Sequence, residues 1–172
     1  RCVGTAERRG ENLLDPAGAQ LEEAIALGLE RADISFRLGR ICERKGDLPR
    51  ARQEYQRASD LDPANLHYRR YIGVVCREMG EYDEAAARLK EIVREHMAAC
   101  AEASYDLGQV YERQGRFGAA LDEFRRAVEL VPQKREYRCS LGRTYGLVGD
   151  NARAEQELLA VLRQSPDDPW AN

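Results

Sequence analysis

Five cysteines and two histidines are the side chains of this 172-residue chain best suited to metal or nucleophilic chemistry. Cys2, Cys42, Cys76, Cys100 and Cys139 are odd in number and contain no C-x-x-C pair. Neither a disulfide framework nor a zinc module fits that spacing, and buried reduced thiols are expected. His67 and His96 are far apart in sequence with no ligand spacing around them, so both are expected on the surface or along a groove. There is no glycine-rich phosphate loop, no H-E-x-x-H and no G-x-S-x-G. The carboxylates are scattered at solvated helix positions, so no enzyme, metal or cofactor is expected. Arginine is what remains: of 27 basic residues only Lys45, Lys90 and Lys134 are lysine. A guanidinium takes a carboxylate through two parallel hydrogen bonds, which is recognition chemistry rather than catalysis.

Charge and composition narrow the classes further. Acids number 30 against 27 bases, a formal charge of −3, which disfavours a general nucleic-acid or anionic-membrane binder. With 43% hydrophobic and 33% charged residues, the chain has enough apolar material for a core, so wholesale disorder is not expected. No apolar run approaches the ~20 residues of a membrane span, and no basic-then-apolar leader opens the chain. Direct membrane insertion is not expected, and a cytoplasmic location is. The chain begins at Arg1 rather than Met, which points to a processed or excised piece of a longer protein. The arginine bias points to a GC-rich, bacterial genome.

The elements that must position these arginines are written in a repeat. Gly39, Gly73, Gly108 and Gly142 are spaced by 34, 35 and 34 residues, and Gly46, Gly80, Gly115 and Gly149 each follow seven later. Ala51, Ala85, Ala120 and Ala154 keep the same step, as do Tyr55, Leu89, Phe124 and Leu158, and Leu38, Ile72, Leu107 and Leu141. Pro63, Pro132 and Pro166 close three units. A fixed period of this length means stacked supersecondary units. Within each unit, apolar residues at i, i+3 and i+4 mark a first amphipathic helix, as in Leu38, Ile41 and Cys42. Glycine inside that helix costs roughly 0.5–1 kcal/mol relative to alanine, so its recurrence calls for close approach of a neighbouring helix. The second glycine is placed to cap the helix in the left-handed conformation. Asp47 and Pro49 then start a second helix, with Ala51, Tyr55 and Ala58 as its buried stripe. Small Ala opposite small Gly is expected to let the pair pack closely, with the large residue reaching into the next pair.

This pattern resembles the tetratricopeptide repeat, most closely at Leu107, Gly108, Tyr111, Gly115, Ala120, Phe124, Ala127 and Pro132. The resemblance covers four units, 32–65, 66–100, 101–134 and 135–166. It implies an all-α right-handed superhelical solenoid of antiparallel helix pairs. The family's Trp is replaced by Ser35, Arg69, Ser104 and Arg138. The second unit lacks its Pro and carries one extra residue near Glu95 to Cys100, so a longer helix or shifted turn is expected there. Residues 1–31 read as a degenerate unit or capping helix, with a helix over about 17–30 and a weak partner helix near Cys2 to Arg9. Residues 167–172 read as the start of a following helix.

In this family the first helices line a concave groove, and the resemblance implies that partners bind there. Registered on the buried stripe, the groove positions are Phe36, Arg40, Arg70, Val74, Arg77, Tyr105, Gln109 and Arg143, with Cys139 on the same face. Aromatic side chains beside Arg are the composition of interface anchors. The groove is expected to hold a peptide or helix of another protein, with an acidic group meeting Arg40, Arg70 or Arg143. Glu43, Glu112 and other acids flank the central positions. The Lys and Asn set with which some relatives grip a chaperone C-terminus is absent. Phe36, Arg40, Tyr71, Glu102 and Asp106 stand in its place. A non-catalytic scaffold or adaptor is therefore expected. The alternatives are a secretion or pilus-assembly helper, or a scaffold that self-assembles through an uncapped C-terminal end.

Overall fold

A computed structural model describes residues 18–96 and 100–164. Those residues are helical throughout, apart from short turns. A first helix, α1, covers residues 18–26. It is followed by α2 (Ala32–Lys45), α3 (Leu48–Leu61), α4 (Leu66–Glu78), α5 (Tyr82–Glu95), α6 (Ala101–Arg113), α7 (Phe117–Leu130), α8 (Arg135–Leu147) and α9 (Asn151–Gln164). They belong to two compact units, one ending at Gly80 and one beginning at Glu81. In the first unit α2 packs on α3 and α3 on α4. In the second, α5 through α9 pack in chain order. The helix over Cys2 to Arg9 and the one beginning at 167 lie outside the described residues.

Local chemistry starts and stops these helices where the repeat places them. The Asp47 side chain accepts a hydrogen bond from Arg50 N at 3.2 Å, and Pro49 lies in the first turn of α3. Asn65 does the same for α4 from His67 N at 3.1 Å. Such caps contribute about 1 kcal/mol each. Gly46 has φ 80° and ends α2, its N–H bonded to Glu43 O, and the three glycines in register with it are likewise left-handed. Helix α1 stops at residue 26 rather than running to 30. Leu29 N reaches back to Ala24 O and Gly28, at φ 82°, to Ile25 O, the two bonds of a left-handed helix terminus. Helix α5 is not lengthened: it has 14 residues, as do α3 and α7, and residues 97–99 lie outside the described chain.

The buried stripe is the expected one. Ala51, Tyr55, Ala58, Leu89, Phe124, Ala127 and Val161 have at most 1% of their surface exposed. Leu158 alone among the large members is half-buried. The partner of the helix glycines differs from the expectation. What faces Gly108 is the Phe124 ring. A Cβ there would lie 2.6 Å from Phe124 Cε1, and one at Gly39 would lie 2.6 Å from Tyr55 Cε1. The alanine contributes its backbone, Ala51 O, at 3.3 Å. The large residue therefore packs back on its own hairpin's glycine before it reaches a neighbour.

In the first unit a half-buried carboxylate lies beside this stripe. Glu54 has a buried Oε2 without a hydrogen-bond partner. Burial raises its pKa above the usual carboxylate range, against the pull of Arg57 and Arg50. Those two arginines are engaged with Glu30 and Glu22, each at 2.5 Å.

These contacts fix the sign of three substitutions. Gly108→Ala should lower the unfolding free energy in urea by about 1–3 kcal/mol, the usual range for overpacking. Gly118→Ala, with nothing within 4 Å of its Cβ position, should raise it by up to about 0.5–1 kcal/mol. For Glu54, the folded state holds its proton more tightly than the unfolded state does. Stability should therefore fall as pH rises from about 4.3 through the raised pKa, and the loss is complete above it. Glu54→Gln should flatten that decline in a pH series of urea melts.

Candidate functional site

In the first unit, α2 and α4 bring five rings together with α3. Phe36 stands two residues before the buried Leu38, so it leaves α2 beside the core rather than inside it. Its ring centroid lies 5.4 Å from Tyr55, 5.0 Å from His67, 5.1 Å from Tyr68 and 5.0 Å from Tyr71. Tyr71 in turn lies 5.3 Å from Tyr55 and 4.8 Å from His67. Tilted and edge-on pairs of this kind each contribute about 0.5–1.5 kcal/mol beyond burial. Tyr55 is fully buried, whereas Phe36, Tyr68 and Tyr71 are half-buried and His67 is exposed. The cluster is thus rooted in the core and open at one side.

Two guanidiniums stack on it. Arg40 Cζ is 5.2 Å and Arg70 Cζ 4.9 Å from the Tyr71 ring centroid. Arg40 Nη1 also donates to Tyr71 Oη at 3.2 Å, and its Nε lies 3.7 Å from Glu43. Tyr55 Oη donates to the same Glu43 carboxylate. Burial first, and then that hydrogen bond, push the Tyr55 phenol far above its ordinary range, so it remains a neutral donor. Val74 is half-buried on α4. Arg77 is turned to Glu78, at 2.8 Å, with its side chain 15% exposed.

The second unit holds a smaller version. Tyr105 occupies the register of Phe36. It packs on Phe124 at 5.7 Å and on Tyr137 of α8 at 4.7 Å, and shares a 3.3 Å hydrogen bond with Ser140. Gln109 is half-buried on the same helix. Arg143 Nη2 donates to Glu112 Oε2 at 2.7 Å, with its own side chain 61% exposed. In that solvated setting the pair contributes at most about 1 kcal/mol. Cys139, in the register of Phe36 and Tyr105, supplies no ring. With Ser140, Arg143 and Leu158 it lines a cavity of about 320 Å³. Cys42 is buried, and burial raises its thiol pKa, which makes it inert.

Every residue expected on the groove face of the first unit lies on α2 or α4, and Tyr105, Gln109 and Arg143 lie on α6 or α8. The flanking acids, Glu43 and Glu112, turn out to be partners of Arg40 and Arg143. Tyr68 is a member that sequence reasoning does not place in the site, and Tyr71 enters there only as a residue standing where the chaperone-gripping set is absent. With His67 they form an i, i+1, i+4 aromatic set on α4, the one signal that marks them. Among the described residues no cluster of three or more His, Cys, Asp or Glu is placed to hold a metal, and no helix is long and apolar enough to cross a membrane.

Paired helices with a glycine–ring seam, presenting rings and arginines, define a helical-repeat protein. The tetratricopeptide-repeat profile matches residues 7–65 and 76–135, and the chain belongs to that family. It is 32% identical over 117 residues, 68% of this chain, to human tetratricopeptide repeat protein 7A. It spans only 10% to 14% of the length of the curated relatives it matches. Among solved structures it resembles MamA from Desulfovibrio magneticus RS-1, with a TM-score of 0.76, 24% identity, and coverage of 94% of this chain and 90% of that one. It also resembles YrrB, described as a repeat protein with an unusual peptide-binding site, with a TM-score of 0.69, 21% identity, and coverage of 93% and 82%.

The Tyr55 hydroxyl tests how the site is tied to the core. Tyr55→Phe leaves the ring in place and removes the donor to Glu43. It should cost about 1.5–3 kcal/mol, the range for a hydrogen bond to a charged group, in urea denaturation followed by far-UV circular dichroism.

Proposed function

We propose that the chain is a non-catalytic scaffold that holds a peptide or helix of a partner protein on the face of its first helices. The observation that carries this reading is the Phe36–His67–Tyr68–Tyr71 cluster with Arg40 and Arg70 stacked on it. Rings rooted in the core lose little conformational freedom on binding, and arginine and tyrosine dominate the energetics of interfaces. A partner side chain seated against Phe36 and Tyr71 displaces water from apolar ring surface. An adjacent carboxylate is then within reach of Arg40 and Arg70. In the second unit Tyr105, Gln109 and Arg143 serve the same purpose on a smaller scale, with Arg143 exchanging its partner Glu112 for the incoming acid. Val74 and Arg77 border the first site. The family of the chain and the peptide-binding site in the description of YrrB both support this reading.

The test uses a fluorescein-labelled pentapeptide, Asp-Phe-Asp-Phe-Asp, followed by fluorescence anisotropy. Arg40→Glu and Arg70→Glu should each weaken binding at least tenfold while helicity is unchanged, and Arg143→Glu should weaken it less. Equal affinity for the wild type and both first-unit variants contradicts the proposal.

A further inference from the structure

Phe36 and Tyr105 occupy one position of the repeat, and each is followed seven residues later on its own helix by an acid, Glu43 on α2 and Glu112 on α6. At the same two positions α4 has Arg70 and Arg77, and α8 has Cys139 and Gly146. Ring and acid thus recur together. The two acids are not loose surface groups. Glu43 accepts the hydrogen bond of the buried Tyr55 hydroxyl, and its side chain is 27% exposed. The Glu112 side chain is 16% exposed. Each also faces an arginine. Glu43 lies 3.7 Å from Arg40 Nε, and Glu112 Oε2 accepts from Arg143 Nη2 at 2.7 Å. Arg40 and Arg143 share one position of the repeat. Glu43 reaches its arginine along α2, whereas Glu112 reaches from α6 to α8.

We propose that Glu43 and Glu112 are specificity-determining residues of the first-helix face, internal acids that limit how much a partner gains from its own negative charge. The inference rests on the proposed binding of a partner segment to this face, and adds what sets its selectivity. An incoming carboxylate is attracted by Arg40 but repelled by Glu43, and both terms act at close range. Glu43 cannot swing far away, because the core holds it through Tyr55. An apolar side chain laid on Phe36 and Tyr71 meets no such opposition. The face therefore selects the apolar side chain first and the acid second. Like charge placed against a partner is a general means of rejecting the wrong one. At Arg143, whose side chain is 61% exposed, the guanidinium is free to turn from Glu112 toward the partner, so the restraint is weaker there.

Fluorescence anisotropy of the full chain tests this with labelled Asp-Phe-Asp-Phe-Asp and the same peptide bearing Asn at each Asp. Glu43→Gln keeps an acceptor for the Tyr55 hydroxyl and removes only the charge. It should tighten the acidic peptide about threefold, within the range of a partly exposed ion pair, and leave the Asn peptide unchanged. The ratio of the two affinities therefore rises. Glu112→Gln should raise that ratio less. The gain from Glu43→Gln should shrink in ~0.5 M NaCl, where such charges are screened. Glu84→Gln removes an exposed acid paired with Arg88 on α5, away from the first helices, and should leave the ratio as in the wild type. A ratio that stays level or falls in Glu43→Gln overturns the proposal. So does equal tightening of both peptides, or an equal gain from Glu84→Gln, which would assign the effect to net charge. If the wild type binds neither peptide, the first-helix face is not a binding site and this inference falls with it. Binding of both peptides with an unmoved ratio removes the role of Glu43 alone.

Discussion

A ring lying on a glycine is the contact on which the rest of the structure depends. At Gly39 and Gly108 the missing Cβ admits the ring of Tyr55 or Phe124 to a distance that no side chain would allow. That approach sets the spacing of the hairpin and buries the ring completely. It also aims the far side of the ring toward the next helix. Tyr55 touches Phe36 and Tyr71 as well as Gly39, and Phe124 touches Tyr105 as well as Gly108. Hairpin packing and the proposed recognition surface are thus two sides of one residue.

The hairpin of α8 and α9 carries the same seam without a ring. A Cβ at Gly142 would lie 3.2 Å from Leu158 Cγ, and Leu158 remains half-buried. Cys139 stands where Phe36 and Tyr105 stand elsewhere, and the place is an open cavity rather than an aromatic platform. A recurrent backbone therefore supports a non-recurrent surface, because stacked repeats need only their seams to be alike.

Much of this is legible in the sequence. The two glycine ladders mark the helix interiors and the left-handed ends, Asp47 and Pro49 mark a helix start, and the 3.6-residue stripe marks what is buried. Periodicity reports which face of a helix is inward, but not which atoms meet across it. For that reason the sequence suggests alanine as the partner of glycine, where the structure has a ring. Tyr71 is hidden for a related reason. It sits one position away from the central groove register of α4, yet it packs directly on Phe36 and accepts a hydrogen bond from Arg40. The partners of Arg40 and Arg143 are visible only as flanking acids, since an ion pair depends on side-chain reach. The end of α1 escapes the pattern because Gly28 lies in no ladder.

The central claim is that Gly39 and Tyr55 act as one unit. A double-mutant cycle in urea, comparing Gly39→Ala, Tyr55→Leu and the double variant, measures that coupling directly. Alanine at position 39 collides with the Tyr55 ring but meets a smaller side chain in the Leu background. The cost of Gly39→Ala should therefore shrink there, with an interaction free energy of about 1 kcal/mol or more. Additivity within about 0.3–0.5 kcal/mol, as for independent sites, would contradict the account.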